Sequence, residues 1–398
     1  MINENISKVC RQYGTPLYFY DLDLFKHNIS TLQLHLPFNS GLYFSVKANP
    51  LEELCKIAVQ NECGVEIASD GELDLVLKVG VLPENIVFTG PGKTESELEQ
   101  AIEAGIYMIN VESIQEIRKI QFLAERQNKK VSIALRVNPC QKKATSKVQM
   151  SGIASQFGIE EAALSHELFE EIFSMKNIQL AGIHIYMGTS ILDAEEICNN
   201  TEYAIRLGLK LSEKYSFELK YLNAGGGFGV PYFPNETELD LKELIKGMSL
   251  LEEKYKKQLV NTKIFFESGR YLLAECGKFL ISVLYRKESK GNTYLVCDGG
   301  ANFHSASAFL GRFVRGNFPM HVLGKEGEDK EFYVTGPSCT PADLVGQKVK
   351  LPSDTVEGDI IVIEKSGAYG LTYSPHSFLS HTLPVEVGYD ELGFKRMR

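Results

Sequence analysis

The 398-residue sequence has no tryptophan, and its eight cysteines are scattered with no CxxC pair among them. Cysteine pairs at fixed spacing are typical of zinc sites and redox motifs, and dense cysteines are typical of small secreted domains held by disulfides. Neither pattern occurs in this sequence. We therefore expect reduced thiols, no metal site and a cytoplasmic location.

The sequence also lacks an excess of basic residues, since 42 Lys and Arg stand against 51 Asp and Glu, for a formal net charge of −9. A nucleic-acid partner requires a basic surface, so we expect none. No apolar run approaches the roughly 20 residues of a membrane-spanning helix. The first residues lack the basic and then apolar pattern of a signal peptide. These absences leave a globular enzyme as the natural expectation.

Through the middle of the chain, short apolar runs alternate with longer amphipathic stretches. The predicted strands are 42–47, 64–69, 86–90, 107–111, 131–137, 180–187, 221–226 and 263–268. The helix predicted over 94–105 has Thr94 as N-cap, Glu97 at capping-box distance and Gly105 after its end. Eight strand–helix units predict an α/β fold with a TIM-like (β/α)8 barrel. A doubly wound sheet is the alternative, disfavoured because no phosphate-loop fingerprint follows the first strand.

In the last third of the chain, short β-rich runs are separated by Gly, Ser and Asp, with little helix between them. This pattern is typical of a β-sandwich or β-barrel. We predict a barrel domain over 20–270, and a β domain over 271–398 that includes the N-terminal segment 1–19. The polar segment 140–156 is a candidate for a mobile loop over a site.

The stretch YFSVKANP, residues 43–50, contains a lysine at the end of the first predicted barrel strand. Barrel enzymes carry their chemistry at the carboxyl ends of the strands, so Lys47 is expected on that rim. Other polar or glycine residues are expected on the same rim: Glu66, Arg136, Asn138, His184, Tyr186, Gly225, Gly226, Gly227, Glu267, Gly269 and Arg270. Each alone has an ordinary explanation, such as a solvated lysine, a turn, an ion pair or a buried histidine.

The combination points to one cofactor. Successive glycines let backbone N–H groups approach a phosphate closely. A carboxylate can keep a heteroaromatic nitrogen protonated, and a lysine amine can bind an aldehyde covalently. Phosphate, ring nitrogen and aldehyde are the three functional groups of pyridoxal 5'-phosphate.

The chain resembles the fold-type III pyridoxal-phosphate-dependent decarboxylases, the group of the diaminopimelate, ornithine and biosynthetic arginine decarboxylases. Seven motifs occur in the family's order: YFSVKAN (43–49), LRVNP (135–139), SQFGI (155–159), NAGGGFG (223–229), ESGRYLL (267–273), GPSCTPAD (336–343) and SGAYG (366–370). The resemblance implies an alanine-racemase-like barrel with a β domain, pyridoxal phosphate as cofactor, and a head-to-tail homodimer with shared active sites.

The resemblance also implies residue roles. Lys47 would bind the cofactor aldehyde, Glu267 would pair with the pyridine nitrogen, and Cys339 of the neighbouring subunit would deliver a proton after CO2 leaves. The implied cofactor-binding residues are Lys47, His184, Tyr186, Gly225, Gly226, Gly227, Glu267, Gly269, Arg270 and Tyr369. Glu267 favours decarboxylation over racemisation, because a protonated ring nitrogen is a better electron sink, whereas the related racemases carry an arginine there.

Two positions depart from the family pattern. Tyr186 stands where the family places a histidine against the cofactor ring, and His184 lies two residues earlier on the same strand face. Thr340 follows Cys339 where members that act on diamino acids often carry an acidic residue. Loss of that charge would cost a cationic substrate about 2–5 kcal/mol in a buried site, which disfavours free lysine, ornithine and diaminopimelate.

The candidate substrate-binding residues are Arg136, Asp298, Arg312, Arg315 and Asp343. Arginines suit a carboxylate or a phosphate-bearing tether, while the two aspartates keep diamino substrates possible. In its motifs, the sequence most resembles decarboxylases of specialised biosynthesis. The leading hypothesis is a lyase that decarboxylates a tethered or conjugated aminoacyl group, such as glutamyl on an acyl carrier protein or a siderophore-like conjugate. The alternatives are a free diamino-acid decarboxylase and a non-catalytic regulator, which the intact cofactor residues disfavour.

Overall fold

The structure is a computed structural model that describes residues 2–37, 40–140, 148–149, 154–308 and 316–398. It divides into two compact units. The barrel unit comprises Ile29–Val230 and Thr237–Gly269, and the β unit comprises Met1–Asn28, Pro231–Glu236 and Arg270–Arg398. No helix in these described ranges is long and apolar enough to cross a membrane.

The strands follow in chain order, with their bounds. They are β1 (Leu17–Asp21), β2 (Ser40–Ser45), β3 (Gly64–Ile67), β4 (Ile86–Thr89), β5 (Met108–Val111), β6 (Val131–Asn138), β7 (Val148–Gln149), β8 (Ile159–Glu160), β9 (Ile178–His184), β10 (Gly188–Thr189), β11 (Tyr221–Asn223), β12 (Lys263–Ser268), β13 (Gly277–Ser289), β14 (Asn292–Cys297), β15 (Met320–Val322), β16 (Asp329–Thr335), β17 (Leu344–Pro352), β18 (Ile360–Ile363), β19 (Val385–Asp390) and β20 (Gly393–Arg396).

The α-helices have the following bounds. They are α1 (Ile2–Tyr13), α2 (Leu22–Leu34), α3 (Glu52–Gln60), α4 (Asp70–Lys78), α5 (Glu95–Ala104), α6 (Ile114–Arg126), α7 (His166–Ser174), α8 (Ala194–Tyr215), α9 (Leu241–Tyr255) and α10 (Arg270–Leu273).

Eight parallel strands close the barrel unit. The order is β2-β3-β4-β5-β6-β9-β11-β12, and β12 pairs back with β2. Each predicted barrel strand therefore corresponds to an observed one, and the predicted (β/α)8 barrel is confirmed. Parallel neighbours bring all eight carboxyl ends to one rim, which is where barrel enzymes place their chemistry.

Local sequence explains how the barrel helices begin and end. In α5, the Thr94 side chain accepts a hydrogen bond from the Glu97 N–H, and the Glu97 side chain accepts one from the Thr94 N–H, which is a complete capping box. Gly105 ends the helix at φ 71°, in the left-handed region that glycine adopts at no steric cost. The predicted caps of this helix are thus confirmed.

Aromatic and apolar side chains fill the barrel interior. One cluster joins Tyr43, Val87, Met108, Ala134, Ala181, Tyr221 and Phe265. The rings of Tyr43 and Phe265 stack with centroids 5.0 Å apart. This packed layer fills the barrel interior beneath the polar side chains at the strand ends.

The β unit is built on a sheet in the order β17-β16-β14-β13-β1-β19-β20, with β18 pairing with β13 and β15. Strand β1 lies between β13, to which it is antiparallel, and β19, to which it is parallel. Helix α1 packs Ile6 and Val9 against the buried side of this sheet. Two stretches that the sequence prediction did not place in the β domain belong to this unit, namely 20–28 and Pro231–Glu236.

Candidate active site

Lys47 follows the first barrel strand, and its amine contacts a buried carboxylate. Strand β2 ends at Ser45, two residues before the predicted end, and Lys47 lies in the 3-10 turn Val46–Ala48. Its Nζ is 2.7 Å from both carboxylate oxygens of Glu66. Glu66 is fully buried, while 43% of the Lys47 side chain remains exposed. The Lys47 amine is thus paired with the Glu66 carboxylate, while part of the lysine side chain stays exposed. The sequence motifs gave Glu66 no role.

Gly269 approaches the turn that carries Lys47. A Cβ at this position would lie 2.6 Å from the Ala48 Cβ and 3.3 Å from the Ser45 backbone oxygen. Contacts that short are not tolerated, so only glycine fits. Gly269 therefore sets the separation between the end of β12 and the turn that presents Lys47.

Glu267 lies at the end of β12 and is buried. Its Oε1 accepts a hydrogen bond of 2.7 Å from Asn223 Nδ2, and its backbone N–H donates to the Gly225 carbonyl at 2.8 Å. Burial first, and then the charge of Glu66, raise the pKa of Glu267 to about 7, against the lowering effects of Lys47, Asn223 and Arg136. A carboxyl group with this pKa can take up or release a proton near neutral pH.

His184 ends β9 and is buried beside Glu267. Among the described residues neither of its ring nitrogens has a hydrogen-bond partner. The nearer nitrogen, Nε2, lies 3.6 Å from Glu267 Oε1. Burial first, and then the charges of Arg136, Lys47 and Lys93, hold the pKa of His184 well below its usual value. The imidazole is therefore neutral, and a neutral buried ring without partners is suited to a ligand surface.

Tyr186 comes two residues after His184 and is half-buried. The predicted strand 180–187 ends at His184, so Tyr186 lies beyond the regular ladder. Its ring borders the glycine turn, because a Cβ at Gly225 would lie 3.1 Å from Tyr186 Cδ2. Tyr186 thus lies just beyond the strand that carries His184 and next to the glycine turn.

The glycine turn after β11 has the backbone required for an anion site. Gly225 and Gly227 have φ values of +71° and +94°. A Cβ at Gly226 would lie 1.9 Å from the Glu267 carbonyl oxygen, so the turn packs directly against β12. Among the described residues, the N–H groups of Gly226 and Gly227 meet no hydrogen-bond acceptor. Two adjacent N–H groups without acceptors are the donors that a phosphate needs.

Arg136 lies inside the barrel unit, and its charge is already paired. Its Nη1 donates to Glu112 Oε1 at 2.7 Å, and its guanidinium lies 4.7 Å from the Phe157 ring. The second Glu112 oxygen accepts the Gly158 N–H at 2.8 Å. The SQFGI motif is therefore fixed to Glu112 and Arg136. Arg136 thus belongs to a buried network with Glu112, and its assignment to the substrate stays a prediction.

In the β unit, Arg270 lies between two aromatic rings. Its Nη1 donates to the Tyr232 hydroxyl at 3.1 Å, and its guanidinium lies 4.8 Å from the centroid of the Tyr369 ring. Tyr369 has a φ of +56°, which is unusual for a residue with a side chain. Two of the predicted cofactor-binding residues therefore contact one another, and Tyr232 is an additional partner that the motifs did not identify.

Cys339 is exposed at the tip of the GPSCTPAD loop, and Asp343 organises that loop. The Asp343 carboxylate accepts the Ala301 N–H at 2.6 Å and the Ser338 N–H at 2.8 Å. Asp298 is engaged in the same way, since its oxygens accept from Thr15 Oγ1 and from the Ser282 N–H. Both aspartates thus already accept hydrogen bonds from backbone or hydroxyl donors, and their assignment as substrate contacts stays a prediction.

The remaining predicted substrate residues, Arg312 and Arg315, lie outside the described residues, as does most of the segment 140–156. Within the described ranges, no group of three or more His, Cys, Asp or Glu side chains could hold a metal ion. The eight cysteines are all free thiols.

A lysine at a barrel rim, a glycine turn with two open N–H donors and a buried carboxylate with a pKa near neutral fit pyridoxal phosphate. The chain belongs to the pyridoxal-dependent decarboxylases, since residues 22–274 match the family model described as the pyridoxal binding domain of these enzymes. The predicted family, cofactor and reaction class are thereby confirmed, and the protein is a pyridoxal-phosphate-dependent decarboxylase.

The chain is also similar to individual decarboxylases of known sequence or structure. The chain is 38% identical over 388 residues, covering 96% of this chain and 90% of the relative, to the L-glutamyl-[BtrI acyl-carrier protein] decarboxylase of Niallia circulans. It is 30% identical to the 2-[(L-alanin-3-ylcarbamoyl)methyl]-2-hydroxybutanedioate decarboxylase of Staphylococcus aureus, covering 92% of each chain. The crystal structure of diaminopimelate decarboxylase from Helicobacter pylori complexed with L-lysine superposes with a TM-score of 0.87 and 27% identity, covering 99% of this chain and 96% of that one.

Proposed function

We propose that the protein removes the α-carboxylate of an aminoacyl group that is tethered to a carrier or conjugated to a larger molecule. The observation that carries this proposal is the 38% identity, over nearly the whole chain, to a relative named for a glutamyl group on an acyl carrier protein. The relative from Staphylococcus aureus is likewise named for a conjugated amino acid. An acyl carrier protein is therefore the first partner to test.

The residue after Cys339 supports this substrate class. Thr340 carries no charge, and its Oγ1 accepts the Ala342 N–H at 3.3 Å within the loop. A distal ammonium group would therefore meet no carboxylate at this position. A glutamyl group has no distal ammonium, so it makes no demand for a negative charge there.

We propose the following roles in cofactor binding and catalysis. Lys47 binds the cofactor aldehyde, the N–H groups of Gly226 and Gly227 bind its phosphate, and Glu267 binds its ring nitrogen. When bound, pyridoxal phosphate accepts the electron pair that the departing CO2 leaves behind. The Glu267 carboxylate would accept a hydrogen bond from the protonated ring nitrogen and so keep the proton there. Glu66 lies 2.7 Å from Lys47 Nζ, within reach to accept the proton that the amine must lose before it reacts.

The neutral ring of His184 and the side chain of Tyr186 complete the proposed cofactor site in the barrel unit. His184 offers a buried, uncharged imidazole beside the carboxylate of Glu267. An uncharged ring can stack on the cofactor without opposing the proton that Glu267 holds. Tyr186 borders the phosphate turn at Gly225. We propose that stacking is the role of His184 and that Tyr186 shields the turn from water.

We propose that the enzyme is a homodimer in which Cys339 of one subunit serves the active site of the other. Cys339 is exposed at the tip of a loop that Asp343 holds in place. Lys47→Ala and Cys339→Ala proteins should each be inactive. Mixing them in equal amounts should restore up to about a quarter of the wild-type activity, because half of the dimers are then mixed and one of the two sites in each mixed dimer carries both residues. Activity is measured after subunit exchange has been verified by native mass spectrometry. No recovery in exchanged dimers would contradict a shared site.

The substrate class is tested by CO2 release with added pyridoxal phosphate. The panel comprises free glutamate, lysine, ornithine, arginine and diaminopimelate, a glutamyl-carrier protein, and a citryl–diamino acid conjugate. We expect turnover of at least one tethered or conjugated substrate, with a kcat/KM at least about 100-fold above that of any free amino acid. This ratio corresponds to roughly 3 kcal/mol of transition-state discrimination. Turnover of a free diamino acid at the higher rate would contradict the tethered substrate.

A free diamino-acid decarboxylase is the second candidate. It is favoured by the likeness to the Helicobacter enzyme, whose crystal structure contains L-lysine. It is disfavoured because both carboxylates that might have bound a distal ammonium, Asp298 and Asp343, are engaged with other donors. The same panel decides between the two candidates.

A further inference from the structure

Asn223 is the last residue of β11, and no motif interpretation gave its side chain a role. It is fully buried, and its amide makes three hydrogen bonds. Nδ2 donates to Glu267 Oε1 at 2.7 Å and to the Tyr221 hydroxyl at 2.9 Å. Oδ1 accepts the Gly225 N–H at 2.8 Å. One side chain therefore joins the carboxylate at the end of β12 to the first residue of the glycine turn.

The orientation of this amide follows from its partners. The Gly225 N–H can only donate, so the oxygen of the amide must face it. The nitrogen must then face Glu267, where it supplies a donor to a carboxylate oxygen. Only a side chain that carries both a donor and an acceptor at its end can satisfy both neighbours. Ionised aspartate has no donor for Glu267, and leucine can bond neither neighbour. Glutamine has the same groups but is longer by one methylene.

The backbone reinforces the connection made by the side chain. The Glu267 N–H donates to the Gly225 carbonyl at 2.8 Å, and the Ala224 N–H donates to the Phe265 carbonyl at 2.9 Å. Gly225 has a φ of +71°, and a Cβ on it would lie 2.5 Å from the Ile185 carbonyl oxygen. The turn can therefore adopt only a narrow set of positions, and Asn223 is the side chain that fixes Glu267 relative to it.

We propose that Asn223 is a positioning residue that holds Glu267 and the glycine turn in one fixed arrangement, so that the ring nitrogen and the phosphate of the cofactor are bound at a set separation. This inference rests on the proposed function. The hydrogen bond also acts electrostatically on Glu267. Donation from Nδ2 lowers the pKa of Glu267 and so favours its ionised form against the effect of burial. An ionised Glu267 is the form that accepts a hydrogen bond from a protonated ring nitrogen and stabilises its positive charge.

The experiment measures cofactor affinity rather than activity. Pyridoxal phosphate and pyridoxal are titrated separately into cofactor-depleted protein, and binding is followed by visible absorbance. Pyridoxal lacks the phosphate, so it reports on the ring nitrogen without the glycine turn. Asn223→Leu should lower the affinity for pyridoxal phosphate at least tenfold, as expected for losing a hydrogen bond to a charged group. It should lower the affinity for pyridoxal by a smaller factor, because pyridoxal contacts Glu267 but has no phosphate to contact the glycine turn.

A double-mutant cycle with Glu267→Gln isolates the positioning role. In that background, Asn223→Leu should change the affinity for pyridoxal by less than twofold, while the loss for pyridoxal phosphate persists through the turn. The matched control is Asn177→Leu. Asn177 likewise donates through Nδ2, to the Lys129 carbonyl at 2.7 Å, and accepts from Gln121 at 3.3 Å, at the amino end of β9. This control should leave both affinities within twofold of wild type.

The outcomes separate the inference from the function on which it rests. If the wild-type chain binds pyridoxal phosphate but Asn223→Leu binds it as tightly as the control, the positioning role is wrong. If Asn223→Leu lowers the affinity for pyridoxal by the same factor in the wild-type and Glu267→Gln backgrounds, Asn223 does not act through Glu267. If the wild-type chain does not bind the cofactor at Lys47, the proposed function itself fails. Asn223→Ser, whose hydroxyl is too short to reach both partners, replaces the leucine variant if that variant does not fold.

Discussion

Lys47→Ala is expected to reduce decarboxylation by at least about 10³-fold, because the substitution removes the amine that we propose binds the cofactor aldehyde covalently. The visible absorbance of the holoenzyme should be lost with it. Borohydride reduction of the wild type should attach the cofactor to the peptide that contains Lys47, and mass spectrometry of the digest detects this. The same treatment of the variant should leave that peptide unmodified.

A second variant separates chemistry from folding. Lys47→Ala leaves the fully buried carboxylate of Glu66 without its 2.7 Å partner, and an unpaired buried charge destabilises a protein by itself. Lys47→Arg keeps a cation beside Glu66 but cannot bind an aldehyde, so it should be folded and equally inactive. Lys263→Ala removes an exposed lysine at the amino end of β12 and should retain full activity. Turnover by Lys47→Arg at more than a few per cent of wild type would refute the assignment of Lys47.

Glu267→Gln is expected to lower kcat by about 10²–10³-fold, the range seen when one preorganised electrostatic partner is removed from an active site. Glutamine has almost the same shape and can still accept from Asn223 Nδ2, so the barrel should remain folded. It cannot carry the negative charge that stabilises a protonated ring nitrogen, so the electron sink is weakened. Steady-state kinetics on the substrate found by the panel measure this loss.

The same substitution changes the pH dependence of stability in the cofactor-free protein. The pKa of Glu267 is raised to about 7 in the folded chain, above the ordinary value of 4.5 for a glutamate side chain. Its contribution to stability is therefore fully present below the unfolded pKa and is lost as the pH rises through about 7. Glutamine does not ionise. The Tm of Glu267→Gln should thus increase relative to wild type between pH 5 and pH 8, as measured by scanning calorimetry.

Another buried carboxyl group provides the control for both measurements. Glu386 lies in the β unit, where its pKa is also raised by burial and its Oε1 accepts from the Tyr20 hydroxyl at 2.7 Å. Glu386→Gln should show a similar trend of Tm with pH but should leave kcat within about twofold of wild type. If Glu267→Gln lowered kcat no more than Glu386→Gln does, Glu267 would not be the partner of the ring nitrogen.

Much of the site could be predicted because its elements are local in sequence. The alternation of strands and amphipathic helices predicted the barrel, and the capping box at Thr94 and Glu97 predicted where one helix begins. The motifs around Lys47, the glycine turn and Glu267 each lie within a few consecutive residues. A strand end, a turn and a carboxylate are each recognisable from such a short segment, and their order along the chain identified the cofactor.

The contacts that the motifs did not predict join residues that are distant in sequence. Nothing in the motif around Arg136 indicates that Glu112, on the neighbouring strand end, pairs with it. Nor do the segments around Asp298 and Asp343 indicate that backbone N–H groups from other strands and loops donate to their oxygens. A charged residue in a sequence does not reveal whether its charge is already satisfied, and that depends on the fold.

The sequence by itself determined the class of this protein, a pyridoxal-phosphate-dependent decarboxylase with a (β/α)8 barrel, and it supplied the candidate residues for the cofactor site. The tertiary structure alone decided which side chains hold those groups in place. Glu66 reaches Lys47 because the register of β2 and β3 sets Ser45 opposite Glu66, and Asn223 joins Glu267 to the turn because β11 lies beside β12. Strand pairing sets which side chains lie opposite one another, and residue spacing along the chain does not.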